Sequence, residues 1–276
     1  MAAGAVHSAT PLEQLNLTHD RSEYLIYVTN LSAASITAAA SARGSEEAEL
    51  LTIDGRISNA YSVFVDGVLV GSGFNAAHSY GSESYEISLN LGSSRIRPDR
   101  PHQLAILSTS LGMHSHVTKR ALDFKGIVGK VKLGSTDLTA GGWMHVPGLA
   151  GEQLGAGAGA ATLAWGACGG GGGSGPLTWR KATFKLPENP QFSGGNKSTS
   201  VMLDIAGMSR GHFFLNGIDL GKYWSVTDGK EMTQRYYQLP TSLLLPAGVA
   251  NVLVMADELG TTVSPPGVRV VLSTMT

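Results

Sequence analysis

The stretch VMLDIAGMSRGHFFLNGIDLGKYW, Val201 to Trp224, holds the signal on which the fold turns. Two runs of β-forming residues meet at Asn216-Gly217. An Asn-Gly pair between such runs is the strongest local sign of a two-residue hairpin, because both turn positions require positive φ. The segment therefore predicts strand, reversal, strand. The chain says nearly the same thing earlier, in LTIDGRISNAYSVFVDGVLVGSG from Leu51 to Gly73. With Asp66-Gly67 laid on Asn216-Gly217, Asp54 falls on Asp204, Phe64 on Phe214 and Gly71 on Gly221 without a gap. Apolar positions match as well: Leu51 with Val201, Ile53 with Leu203, Val65 with Leu215, Val70 with Leu220.

The echo continues downstream. HQLAILSTSLG (His102 to Gly112) resembles ANVLVMADELG (Ala250 to Gly260) at almost the same offset, and each copy closes on one more strand-like run, 127–133 and 268–272. Two matched blocks at a nearly constant offset predict two tandem copies of one all-β unit. Ahead of the first copy, Glu23 to Asn30 is dense in Tyr, Ile, Leu, Val and Thr, which pack well on a pleated surface, and reads as the first strand after a loose Ala-rich start. Ala33 to Glu49 reads as a short helix or a loose connection. Ser84 to Leu91 alternates like a strand with one wet face. Gly126 and Gly129 mark a bend or a close backbone approach. Trp143 to Leu154 reads as a bridge into the second half. Gly155 to Gly175, nearly all Gly and Ala, has little to bury and reads as a mobile loop or linker. Short strands, frequent turn signals and no amphipathic helix predict an all-β protein of two tandem jelly-roll sandwiches, over 12–150 and 177–276, with 151–176 between them.

Composition narrows the function classes. At 276 residues there is room for two domains of ordinary size. Twenty Lys+Arg against 21 Asp+Glu leave no basic field for nucleic acid or anionic lipid, and no apolar run approaches the length of a membrane span. The leader MAAGAVHSAT has no charged n-region and no apolar h-region, so no secretion signal is expected in the chain as written. The single cysteine, Cys168, excludes an internal disulfide. N-x-S/T triplets at Asn16, Asn30 and Asn196 point outward, and the compartment stays open. His114 and His116 have a zinc-like spacing but no third ligand close by, so they read as a loop pair without metal. Cys168 lacks a neighbouring His to activate it, and the Gly-rich run lacks the Gly-Lys-Ser/Thr ending of a phosphate loop. No cofactor is expected.

Four further segments carry a resemblance. EQLNLTHDRSEYLIYVTN (Glu13 to Asn30), DFKGIVGKVKLGSTDLTAGGWMHVPGLAGE (Asp123 to Glu152), PLTWRKATFKLP (Pro176 to Pro187) and GMSRGHFFLNGIDLGKYW (Gly207 to Trp224) resemble, in this order, the carboxy-terminal half of glycoside hydrolase family 35 β-galactosidases, the plant-like branch most of all. The most distinctive positions are Gly211, Asn216, Gly217, Gly221, Lys222, Tyr223 and Trp224. The resemblance spans roughly residues 12 to 272 and implies two galactose-binding-like jelly rolls of the kind that follow the catalytic barrel in that family. It also implies what is missing. Family members cleave terminal β-galactose with two glutamates in an upstream barrel, and retaining chemistry needs two carboxyls about 5 Å apart. No position here matches either glutamate motif, and the glutamates present, Glu258 included, read as solvated charges. The expected role is therefore binding, as an assembly subunit or a carbohydrate-binding module. The rival is an accessory part of an active β-galactosidase whose barrel lies on another chain or is missing from this one.

A sugar site generally combines an aromatic face with planar polar groups that bond hydroxyls in pairs. Trp224, Tyr223, Asn216, Asp219, Arg210 and His212 lie on or beside the second hairpin, and Trp179 comes from a neighbouring strand, so a shallow contact with a galactose-type glycan is one reading. The other is stronger: Asn216 serves the turn, Phe214 the core, and Trp224 packs on the sheet or on a neighbouring domain. By the resemblance, these positions lie where the β-domains brace the barrel, so an orphaned copy presents an apolar patch to a protein partner.

Overall fold

The computed structural model describes residues 4–42, 49–74, 87–92, 95–113, 124–153, 164–166, 175–188, 198–225, 234–260 and 268–275. Packing divides the chain into two units, Met1–Leu149 and Ala150–Thr276.

The first unit contains β1 (Val6–Ser8), β2 (Tyr24–Leu31), β3 (Leu50–Ser58), β4 (Ala60–Val65), β5 (Val68–Phe74), β6 (Ile87–Asn90), β7 (His102–Thr109), β8 (Gly126–Leu133), β9 (Thr136–Asp137) and β10 (Trp143–Pro147). They form a six-stranded sheet, β1-β10-β2-β7-β4-β5, and a four-stranded sheet, β6-β3-β8-β9. The second unit contains β11 (Thr178–Lys185), β12 (Ser198–Asp204), β13 (Arg210–Leu215), β14 (Ile218–Trp224), β15 (Tyr236–Leu239), β16 (Ala250–Asp257) and β17 (Arg269–Met275). Its sheets run β11-β16-β13-β14 and β15-β12-β17. Strand by strand, this repeats β2-β7-β4-β5 and β6-β3-β8. All the described pairings are antiparallel.

Within each unit the inner faces of the two sheets meet in one core. In the first, Leu25, Val63 and Ile106 of the larger sheet pack with Leu51, Ile53 and Val131 of the other. In the second, Phe213, Leu215, Leu253 and Met255 pack with Val201, Leu203 and Leu239. Each such side chain contributes about 1.5–3 kcal/mol by leaving water. Each unit is thus an all-β sandwich.

Both predicted hairpins form, with positive φ at Asp66-Gly67 and Asn216-Gly217. The pairing register slips at the same place in each, between Val63 and Phe64 and between His212 and Phe214. The turns are also latched alike to the strand alongside. Asp66 Oδ1 accepts the Gln103 N–H at 2.9 Å, while Oδ2 accepts from His102 Nδ1 at 2.8 Å and Arg100 at 2.9 Å. Asn216 Oδ1 accepts the Val252 N–H at 2.8 Å, while Nδ2 donates to Leu243 O at 2.8 Å and to Asn251 Oδ1 at 2.9 Å. One inward-facing pair is reversed between the copies. Tyr61 on β4 lies across from Gly73 on β5, whereas Gly211 on β13 lies across from Tyr223 on β14. A Cβ on Gly73 would sit 2.5 Å from the Tyr61 hydroxyl, and one on Gly211 would sit 1.9 Å from Ala256 O.

The amino-terminal and bridging segments differ from the sequence reading. Residues 143–147 are a strand, β10, seated between β2 and β1, and the start of the chain supplies β1 as its outer neighbour. His145 on β10 ties these pieces together: its Nε2 accepts the Leu12 N–H at 3.0 Å and its Nδ1 donates to Val6 O at 3.1 Å. Its pKa is lowered, first by burial. Residues 33–42 are helical. Gly126, with φ at 78°, is a point of close approach, since a Cβ there would meet the Tyr27 hydroxyl. Most of the Gly/Ala tract, with Cys168 and the pair His114 and His116, lies outside the described residues, as does Asn196. Within 164–166, Trp165 packs with Trp179 against Phe214 and Val254. Among the described residues no helix is long and apolar enough to cross a membrane, which says nothing of strands, and no group of three metal-ligating side chains occurs.

Candidate functional site

β13 is buried along its whole length, on both faces. Phe213 and Leu215 point into the core, and Arg210, His212 and Phe214 occupy the other face. A buried polar side chain costs free energy unless it finds a partner, so Arg210 and His212 require partners that the sheet must supply.

Arg210 finds its partner just past the end of the neighbouring strand. Its Nε donates to Glu258 Oε2 at 2.7 Å, and both side chains are 1% exposed. The guanidinium carbon also lies 5.1 Å from the centre of the Trp224 ring, the cross-strand neighbour of Arg210. Glu258 is therefore not a solvated charge. It sits just past β16, in register to receive the arginine, with its N–H donated to Arg210 O at 2.9 Å. Beside it Asp257 is fully buried; Ser209 donates its hydroxyl to Oδ1, and Oδ2 has no partner among the described residues. Burial pushes the Asp257 carboxyl pKa up. It does the same, more strongly, to the Tyr223 hydroxyl, which donates to Ala256 O at 2.7 Å.

The other members of the cluster are also engaged. His212 Nε2 and Asp219 Oδ1 lie 2.5 Å apart, and the same carboxylate oxygen accepts the Gly221 N–H at 2.7 Å. The His212 ring lies 5.1 Å from Phe214, which in turn faces Trp179 at 6.2 Å. Trp179 is close-packed on Gly151, where a Cβ would meet the indole at 1.9 Å. Trp224 is held through its backbone, the N–H donating to Tyr237 Oη at 2.7 Å.

The structure thus brings Arg210 and Trp224 together, and His212, Asp219 and Trp179 around Phe214. It turns Tyr223 into the core and commits Asn216 to its latch. Of the seven, Asp219 alone has a side chain more than half exposed. Sequence reasoning missed Glu258, Asp257 and Trp165. The signal for the acids was their place at the end of an apolar strand run. For Trp165 it was a lone indole inside a Gly/Ala tract.

A family profile described as "Beta-galactosidase, galactose-binding domain" matches residues 177–249, within the second unit. "Probable beta-galactosidase 2" of Dictyostelium discoideum is 27% identical over 226 residues, covering 80% of this chain and 27% of that protein. "Beta-galactosidase 11" of Oryza sativa subsp. japonica is 28% identical over 266 residues, covering 93% of this chain and 28% of that one. The chain therefore spans little more than a quarter of the length of these relatives. A Bacteroides uniformis β-glucuronidase superimposes only loosely, with a TM-score of 0.26 at 12% identity over 91% of this chain and 24% of its own. The sequence blocks, the doubled sandwich and the matched domain converge: these 276 residues are similar to a part of β-galactosidases that includes their galactose-binding domain.

Proposed function

We propose that the chain acts by binding rather than by cleaving, as a structural or assembly subunit whose second unit packs against a protein partner. The observation that carries this reading is the mutual engagement of the polar cluster. Arg210 with Glu258, His212 with Asp219, and Asn216 with Asn251 bond to one another. On the outer side of the same sheet Phe214 and Val254 are buried, and the half-buried Trp165, Trp179 and Val252 pack over them. The remaining exposed parts of the Trp165 and Trp179 rings are the portion of this side that suits packing on a protein.

The second reading, an accessory part of an active β-galactosidase whose barrel lies elsewhere, draws on the small share of each relative that the chain matches. Native co-purification followed by assay on a chromogenic galactoside separates the two. Under the first reading a stable assembly forms and turnover does not follow the chain. Turnover that appears only with a barrel-bearing partner supports the second, and release of sugar by the purified chain alone overturns both.

A further inference from the structure

In the first unit a groove of about 490 Å³ runs over the six-stranded sheet where β1, β10, β2 and β7 lie side by side. Its floor is apolar: Met144 and Val28 are register partners on β10 and β2. His7 on β1 stands opposite Met144. Two residues beyond Val28, on the same face of β2, comes Asn30, whose register partner on β7 is Gln103. A turn at Gly141-Gly142 forms one wall, fixed by Thr29 Oγ1 donating to Gly142 O at 2.8 Å and by the Gly142 N–H donating to Ala9 O at 3.2 Å. Among the described residues, no Asp, Glu, Lys or Arg lines the groove. Among the described residues, no hydrogen bond ties the side chains of His7, Asn30 or Gln103 to another residue, in contrast to the paired groups of the second unit.

We propose that this groove is a binding site for a small, uncharged, polyhydroxylated ligand of one or two ring units. Its volume falls within the range of about 300–1,000 Å³ usual for small-molecule sites. Each carboxamide presents a donor beside an acceptor, which matches a pair of adjacent hydroxyls. The Val28 and Met144 floor receives the C–H face of such a ligand. Without a fixed charge among the described lining residues, a carboxylate, phosphate or ammonium group would be desolvated unpaired and is disfavoured. The site lies outside residues 177–249, and it does not depend on the assembly role proposed above.

The test is ligand-observed NMR titration of the full chain with methyl β-D-galactopyranoside, lactose, galacturonate and inorganic phosphate. The neutral sugars bind and the two anions do not. Asn30→Ala and Gln103→Ala each weaken binding by about fivefold, the worth of one ordinary hydrogen bond. Val28→Trp fills the floor and abolishes it. Because Asn30 and Gln103 are exposed, their variants keep the test decisive if Val28→Trp does not fold. The proposal is overturned by the absence of neutral-sugar binding, by anion binding of equal strength, or by binding that is indifferent to Asn30→Ala and Gln103→Ala. Native assembly is scored separately, so failure of the groove and failure of the subunit role remain distinguishable.

Discussion

At the scale of single residues, an imidazole that accepts on one nitrogen and donates on the other has one usable tautomer, and His145 is held in it by Leu12 and Val6. Burial favours the neutral form, so the folded pKa lies below the ordinary 6.5. Below that pH the unfolded chain binds more protons than the folded one, and stability falls as the solution is acidified towards the folded value. Thermal melts of the full chain from pH 7 down to pH 5 should therefore show first-unit stability declining, and His145→Gln should flatten that dependence while lowering stability at pH 7. The Arg210–Glu258 pair carries a different prediction. Removing one member of a buried pair strands the other's charge, so Glu258→Gln should cost about 3–5 kcal/mol in chemical denaturation. Replacing both residues by apolar ones of similar size should cost much less. The sequence exposed Arg210 as a candidate but not its partner, because Glu258 becomes adjacent only through the pairing of β13 with β16.

Among the elements, the hairpins were legible because their turn residues act locally: an Asn-Gly or Asp-Gly pair needs no distant contact to declare itself. The latches were not, since they reach residues 27 to 37 positions away. β10 was also hidden. A five-residue run ending in proline is a weak strand signal, and its pairing with β2 arises only once the sheet exists. Two outcomes follow from the latches. Asn216→Gly keeps the positive φ but removes the side-chain bonds, and should destabilise the second unit by about 1–3 kcal/mol, read by denaturant titration. In the first unit the Gln103 N–H, His102 and Arg100 hold the Asp66 carboxyl below its ordinary 3.8. Its contribution is complete above that value and is lost as pH falls through the depressed one. Hydrogen exchange in increasing acid should therefore release the Gln103 amide before the Val252 amide, whose latch has no ionised acceptor.

For the whole molecule, the sequence echo anticipated the doubled sheet order because the repeat preserves apolar positions and turns, the features that specify strand order. The sugar-site cluster was less legible, since residue type alone does not distinguish a polar group open to ligand from one consumed by a neighbour. Each unit has its own core, so damage to Arg210 should appear first as faster exchange in the second unit's strands and damage to His145 in the first's. The reversed pair, Tyr61 over Gly73 in one copy and Gly211 under Tyr223 in the other, bears on any attempt to build chimeras from these units. Transplanting a single strand would set two tyrosines in one space or leave two glycines facing a void. Parts are interchangeable here by the hairpin and not by the strand.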